Sequence, residues 1–96
     1  MGLIVQKFGG TSVKDRDRIF NVARIVANTR NQGNDVVVVV SAQGDTTDDL
    51  ITKAAEITSD PSHREMDMLL ATGEQISISL LAMALQEIGV PSVSLT

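Results

Sequence analysis

The hydrophobic positions of the opening 42 residues follow a strand pattern, then a helical one, then a strand pattern again. A short apolar run at 3–8 ends at two glycines, which is typical of a strand followed by a turn. From about residue 15 to Val26 the apolar residues recur at helical spacing, and Gly33 favours the end of a helix. Five consecutive valines at 36–40 then predict a second strand, covered on both faces.

The rest of the chain predicts three more helices and a further strand. A second helix begins at Thr46 or Thr47 as its N-cap, with acidic residues in its first turn. The stretch "PSHREMDMLLA" predicts a short third helix closed by Gly73, and "EQISISLLAMALQEI" predicts a strongly apolar fourth. The segment "SVSL" at 92–95 then predicts a third strand.

A strand, a helix and a second strand within about 40 residues form the pattern of a βαβ unit with parallel strands. The loops after both strands then lie at one edge of the sheet. The predicted fold class is α/β, a parallel-sheet βαβ sandwich. Three parallel strands would leave the apolar helix at 75–88 poorly covered, so we expect this chain to be the opening part of a larger domain.

Composition narrows the class of protein. With 43% hydrophobic residues and few glycines or prolines, the chain is expected to form a globular core. It has no cysteine and a single histidine, which excludes disulfides, thiol catalysis and cysteine-based metal sites. No apolar run reaches the roughly 18 residues of a membrane span and no secretory signal is visible, so we expect a cytoplasmic protein with no membrane partner.

Charge is distributed unevenly. Residues 1–33 hold six basic and two acidic groups, whereas the remainder holds two basic and ten acidic groups. A positive opening segment would attract a small anion. Phe8 and Phe20 are the only aromatic residues, so the chain offers no stacking surface for single-stranded nucleic acid, and no nucleic-acid partner is expected.

The glycine loop at the end of the first strand is suited to bind phosphate. Ligands of open parallel sheets bind beyond the carboxyl ends of the strands. Gly9 and Gly10 let the backbone approach a phosphate closely, and Lys7 adds a positive charge beside them. The loop matches neither the P-loop nor the dinucleotide-binding pattern. These residues alone leave two interpretations open, a polyphosphate site or a plain turn with a solvated lysine.

Three segments carry a family resemblance. "KFGGTSV" at 7–13, "VVVVVSAQGDTTDDL" at 36–50 and "REMDMLLATGEQIS" at 64–77 resemble, in this order, the first signature segments of aspartokinases, which belong to the amino acid kinase family. The last segment is similar to bacterial, Bacillus-like members. The resemblance implies the amino acid kinase (carbamate kinase-like) fold, with 1–96 as the N-terminal part of the kinase domain. The rest of that domain and the C-terminal ACT domains would lie outside this chain.

The resemblance also implies an activity. Aspartokinases transfer the γ-phosphoryl group of ATP to the β-carboxylate of L-aspartate, with Mg2+ accompanying the nucleotide, and yield 4-phospho-L-aspartate. This is the first step toward lysine (through diaminopimelate), threonine and methionine. The parent enzyme is then expected to be an allosteric homo- or hetero-oligomer, and the 96-residue piece alone is expected to be inactive.

Site residues follow from the same resemblance. Lys7 resembles the catalytic lysine that bridges the transferred phosphoryl group. Thr47 resembles the threonine that contacts aspartate, and Glu74 the acid that receives its α-ammonium group. No residue is implied as a metal ligand. The residues implied on the nucleotide-phosphate side are Lys7, Phe8, Gly9, Gly10 and Ser41.

Other interpretations remain open for these residues and for the whole chain. Thr47 is also a good N-cap, and Glu74 is also a favourable acid for the first turn of a helix. His63 has no assigned role. The chain could belong to another amino acid kinase with a different acidic substrate, to a non-catalytic binding or regulatory module, or, as the weakest alternative, to a basic nucleic-acid-binding segment.

Overall fold

The computed structural model describes residues 2–95 and forms an α/β arrangement. Two strands pair in parallel, with a helix between them along the chain, as the hydrophobic pattern predicts. In chain order the elements are β1 (Leu3–Phe8), a 3-10 turn (Gly10–Val13), α1 (Arg16–Asn31), β2 (Asp35–Val40), α2 (Thr46–Ile57) and α3 (His63–Glu87).

The register of the sheet brings the carboxyl ends of both strands to the same edge. Leu3 lies opposite Asp35 and Phe8 lies opposite Val40. The pairing extends one step further, because the Ser41 N–H donates to the Phe8 carbonyl at 3.1 Å. The loops that follow β1 and β2 are therefore neighbours, and the predicted parallel βαβ unit is confirmed.

The hydrophobic core lies on one face of this sheet, against α1 and α3. Along β2 every second valine faces it, and Phe8 packs on it from β1. The helical spacing read from the sequence of α1 correctly predicts its buried face. The buried hydrophobic residues are Val13, Ile19, Val22, Ala23, Val26, Val40, Leu81, Ala84, Leu85 and Val90.

The opposite face of the sheet is exposed among the described residues. Leu3 and Val5 of β1 are 66% and 63% exposed, and Val37 and Val39 of β2 are 48% and 46% exposed. The prediction that the valine strand is covered on both faces is therefore wrong for residues 2–95. The reason is that α1 and α3, the helices that contact β2, both contribute to the core on the side of Val40.

The helix starts show which residues cap them. Asp15 is the N-cap of α1, and its side chain accepts the Arg18 N–H at 2.9 Å. The N-cap of α2 is Asp45, so the prediction of Thr46 or Thr47 at that position is wrong. The Thr46 N–H donates to the Gln43 carbonyl at 3.0 Å, which draws this threonine into the first turn.

Helix α3 is one continuous helix of 25 residues, and the predicted break at Gly73 is wrong. Its N-cap is Ser62, whose hydroxyl accepts the Glu65 N–H at 3.3 Å. Gly89, with φ of 88°, follows its C-terminal end, in the left-handed conformation that commonly ends a helix. Gly73 is buried in the interior of the helix, where it contacts the loop after β2 instead of ending a helix.

Because it is unbroken, α3 is also long and apolar enough to cross a membrane by length and composition, with a mean hydropathy of 1.5 over its most apolar 18 residues. The sequence-based expectation missed this segment by dividing it at Gly73. One side of the helix, with Ser77, Leu81 and Leu85, is buried in the core against α1 and β2. In total, 28% of its most apolar stretch is buried among the described residues.

Residues 92–95 do not form the predicted third strand. The Ser92 hydroxyl donates to the Ala82 carbonyl at 3.1 Å, and the Gln86 side-chain amide donates to the Ser92 carbonyl at 3.0 Å. These bonds fix the start of the segment on α3, so it does not pair with β2. A cavity of about 450 Å³ lies between β2, α3 and this segment.

Candidate functional site

The candidate site lies at the edge of the sheet where β1 and β2 end. The glycine loop after β1 packs closely against the second loop, residues 41–45, which follows β2. A Cβ atom placed on Gly10 would overlap the carbonyl oxygen of Ala42, and its next neighbour would be the Gly44 nitrogen at 3.3 Å. Gly10 therefore has to be a glycine for the two loops to meet in this way.

Gln43 ties the two loops together. Its side-chain amide donates to the Val13 carbonyl, at the end of the 3-10 turn, at 3.0 Å. The turn itself is closed by the Ser12 N–H, which donates to the Gly9 carbonyl at 3.0 Å. The sequence analysis did not identify Gln43, and no local signal marks it, since a glutamine in a polar loop is ordinary.

Helix α3 reaches the same place through Gly73. A Cβ atom on Gly73 would lie 3.0 Å from the Ala42 Cβ and 3.2 Å from the Thr46 Cγ2. Ala42 directly follows Ser41, Thr46 directly precedes Thr47, and Gly73 directly precedes Glu74. The structure thus brings the backbone segments that carry Ser41, Thr47 and Glu74 together at one edge.

Lys7 and Phe8 occupy opposite faces of β1. Phe8 is half-buried and packs against the core. Lys7 lies opposite Val39 in the register and is exposed, on the face that the core does not cover. From there a four-carbon side chain one residue before the strand end can reach the edge above Gly9.

The backbone of the glycine loop has free donors. Among residues 2–95, the N–H groups of Gly9 and Gly10 donate to no backbone carbonyl outside the regular elements. Gly9 has an extended backbone, with φ of −77° and ψ of 172°, and it is exposed. Unpaired N–H groups next to a lysine are an arrangement suited to an anion.

Lys7 has no carboxylate partner within the described part of the chain. The ion pairs there join Arg16 to Asp17, Arg18 to Asp15 and Arg64 to Glu65, and all are exposed. Surface pairs of this kind contribute about 0–1 kcal/mol each to stability. The charge of Lys7 therefore remains available to a ligand, as does the carboxylate of the exposed Glu74.

Two cavities in the described part of the chain lie away from these residues. One is the 450 Å³ cavity beside β2, and the other, of about 410 Å³, lies between α1 and α3 near Phe20 and Met83. Neither is lined by a predicted site residue, although Gln43 borders the second. The candidate site is instead an open edge of the sheet. Its phosphate-binding features are the backbone N–H groups of the glycine loop and the charge of Lys7, since proteins recognise phosphate through such donors and charges.

A comparison with protein families gives the classification. The model of the amino acid kinase family matches residues 2–96. The chain belongs to the amino acid kinase family.

Individual relatives within this family are aspartokinases. Those of Bacillus sp. (strain MGA3) and Geobacillus stearothermophilus are each 62% identical over all 96 residues, and aspartokinase 2 of Bacillus subtilis (strain 168) is 59% identical. The matches cover 100% of this chain, which spans 23% to 24% of the length of these relatives. The predicted resemblance to Bacillus-like aspartokinases is confirmed.

A solved structure supports the fold. The crystal structure of aspartate kinase from Synechocystis superposes with a TM-score of 0.94 at 58% identity, covering 97% of this chain and 16% of that one. The predicted fold class, an α/β amino acid kinase fold, is therefore confirmed.

Proposed function

We propose that this amino acid kinase chain is the N-terminal part of the kinase domain of an aspartate kinase. The parent protein would transfer the γ-phosphoryl group of ATP to the β-carboxylate of L-aspartate, giving 4-phospho-L-aspartate. One observation carries the proposal: a chain 62% identical to aspartokinases over its whole length brings its glycine loop and its second loop into contact at one sheet edge.

On the nucleotide side, the proposed roles follow from charge and free donors. The phosphoryl group in transfer spreads negative charge over three oxygens, and its stabilisation depends on positioning and neutralisation. The N–H groups of Gly9 and Gly10 would donate to phosphate oxygens, and the Lys7 ammonium would neutralise the charge that develops. Ser41, half-buried at the end of β2, would add a hydroxyl to the same cleft. Phe8 would contribute through its backbone position, since its side chain packs in the core.

On the acceptor side, two residues would orient aspartate. Thr47, in the first turn of α2, would contact the substrate through its hydroxyl, and free N–H groups at a helix start favour a carboxylate. Glu74 on α3 would accept the α-ammonium group. The contacts of Gly73 with Ala42 and Thr46 support this placement, since they hold α3 against the start of α2.

The proposed cofactor arrangement is Mg2+ carried with ATP. Among residues 2–95 there is no group of three or more histidine or acidic side chains that could hold a metal ion. The charge of Mg2+ bound to the nucleotide would assist neutralisation of the phosphates.

The biological setting is proposed on the same basis. The enzyme would be cytoplasmic, would have neither nucleic acid nor membrane as a partner, and would act as an allosteric homo- or hetero-oligomer. Its product would enter lysine, diaminopimelate, threonine and methionine biosynthesis. The support is the similarity to aspartokinases along the whole chain.

Substrate profiling of the full-length protein tests the proposal. Phosphoryl transfer from ATP is measured with L-aspartate and, as the matched alternative, with L-glutamate, and the acyl phosphate is trapped with hydroxylamine. A strong preference for aspartate is expected. Preference for glutamate would point to another amino acid kinase, and no transfer to either substrate would favour a non-catalytic module.

A further inference from the structure

Gly73 occupies a position that the helix itself does not favour. It lies in the interior of α3, ten residues after the helix begins at His63, and it is buried. A glycine in a helix interior is less favourable than an alanine, because it loses more conformational freedom on folding. Its backbone conformation is helical, and φ is not positive, so no local geometry requires glycine here. The reason has to lie in what surrounds it.

Three side chains surround the missing Cβ. An alanine Cβ at position 73 would lie 3.0 Å from the Ala42 Cβ, 3.2 Å from the Thr46 Cγ2 and 3.6 Å from the Leu50 Cδ1. The first two distances are tighter than ordinary contacts, so the neighbours would have to shift by a few tenths of an ångström. Glycine thus permits the closest approach of α3 to the loop after β2 and to the first turns of α2.

These neighbours adjoin the proposed acceptor site. Thr46 and Leu50 belong to α2, which carries Thr47 in its first turn, and Glu74 follows Gly73 on α3. The separation between α2 and α3 at this point therefore sets the separation between the backbone positions of Thr47 and Glu74. A misplacement of reacting groups by about 1 Å is enough to slow an enzyme by about 100-fold.

We propose that Gly73 is a positioning residue for the amino acid substrate: its missing side chain sets the spacing between Thr47 and Glu74. The inference rests on the proposed function, since it takes these two residues to bind aspartate. Gly73 itself touches no substrate. Its effect is expected on the acceptor more than on the nucleotide, because two of the three nearest neighbours, Thr46 and Leu50, belong to α2, and Ala42 alone adjoins Ser41 on the nucleotide side.

The test is Gly73→Ala in the full-length protein, with KM measured separately for aspartate and for MgATP. We expect KM for aspartate to rise about tenfold, while KM for MgATP changes by less than about twofold. The matched control is Gly2→Ala, just before the start of β1 and away from the edge loops, where the nearest atom to an added Cβ is the Asn34 Oδ1 at 3.7 Å, an ordinary contact. That control should leave both constants within about twofold of the unsubstituted protein.

A compensating variant separates positioning from general damage. Removing the 3.0 Å neighbour in the double variant Gly73→Ala with Ala42→Gly should restore part of the affinity for aspartate. An unchanged KM for aspartate in Gly73→Ala would overturn the inference. An equal rise in both KM values, accompanied by a lower melting temperature and no rescue, would also overturn it.

The two proposals fail in distinguishable ways. If the unsubstituted full-length protein phosphorylates no aspartate, the proposed function fails, and amide hydrogen exchange then decides the packing claim. Exchange in the first turns of α2, residues 46–50, should be faster in Gly73→Ala than in the unsubstituted protein. Equal exchange rates would overturn the positioning role of Gly73 whatever the activity.

Discussion

At the scale of single residues, Lys7 is the side chain whose chemistry matters most to the proposed reaction. It is exposed, it has no carboxylate partner among the described residues, and it precedes two glycines with free N–H groups. Lys7→Ala in the full-length protein is expected to lower kcat by at least ~100-fold, because charge neutralisation in the transition state is lost. Steady-state kinetics and thermal melting measure the two effects.

The matched control for that prediction is Lys14→Ala, since Lys14 is the next basic residue along the chain and is also exposed. Both variants should melt close to the unsubstituted protein, because neither side chain contributes to the core. Near-normal turnover in Lys7→Ala would remove Lys7 from the catalytic role.

Gly10 gives a stability prediction at the same scale. An alanine there would place its Cβ on the Ala42 carbonyl oxygen, whereas an alanine at Gly9 meets nothing within 4 Å. Gly10→Ala is expected to lower the free energy of unfolding by about 2 kcal/mol, as overpacking does. Gly9→Ala, the control, should change it by less than about 0.5 kcal/mol. Urea denaturation of both variants measures the difference, and equal losses would contradict the contact between the loops.

At the scale of secondary-structure elements, the helix caps differ in a way that can be measured. Asp15 accepts the Arg18 N–H at 2.9 Å, whereas Asp45, the N-cap of α2, makes no such side-chain bond. Asp15→Ala should therefore cost about 1 kcal/mol of stability. Asp45→Ala should cost less than about 0.5 kcal/mol, since only its charge near the helix start is lost. A larger loss in Asp45→Ala, measured by urea denaturation, would contradict these cap geometries.

The elements also show how far the sequence could predict the fold. The bounds of β1, α1 and β2 follow from local patterns, because an apolar run, a helical repeat and a valine run need no distant information. The predicted helix break at Gly73 is wrong, although a glycine after a helical stretch usually ends the helix. Its presence inside a helix is explained by contacts with Ala42 and Thr46, which are distant in the sequence. The prediction of a strand at 92–95 is wrong for a similar reason, because strand pairing depends on a partner that is distant in the sequence.

The candidate site was predictable to a similar degree. The meeting of the two loops follows from parallel strands alone, so Gly10 and Ser41 could be placed at one edge in advance. The bond from Gln43 to the Val13 carbonyl spans 30 residues along the chain, and no local pattern indicates it. Lys7 and Val39 share the exposed face of the sheet, which the sequence predicted to be covered. An uninterrupted valine run does not show which of its two faces is covered.

At the scale of the whole molecule, the described chain is more elongated than a compact domain. Its radius of gyration is 15.2 Å, compared with about 12–13 Å for a compact domain of this length. This shape results from the length of α3, 25 residues, and from a sheet that is covered by helices on only one face. Because the chain spans about a quarter of the length of its relatives, the proposed site is assigned to the full-length protein and not to this segment acting alone.

The most direct test of the central claim is a crystal structure of the full-length protein with a non-hydrolysable ATP analogue, Mg2+ and aspartate. Terminal phosphate oxygens are expected within hydrogen-bond distance of the Gly9 and Gly10 N–H groups and of the Lys7 ammonium. Aspartate is expected between Thr47 and Glu74. Phosphates bound away from the glycine loop, with Lys7 lying along the sheet face and contacting no ligand, would contradict the claim.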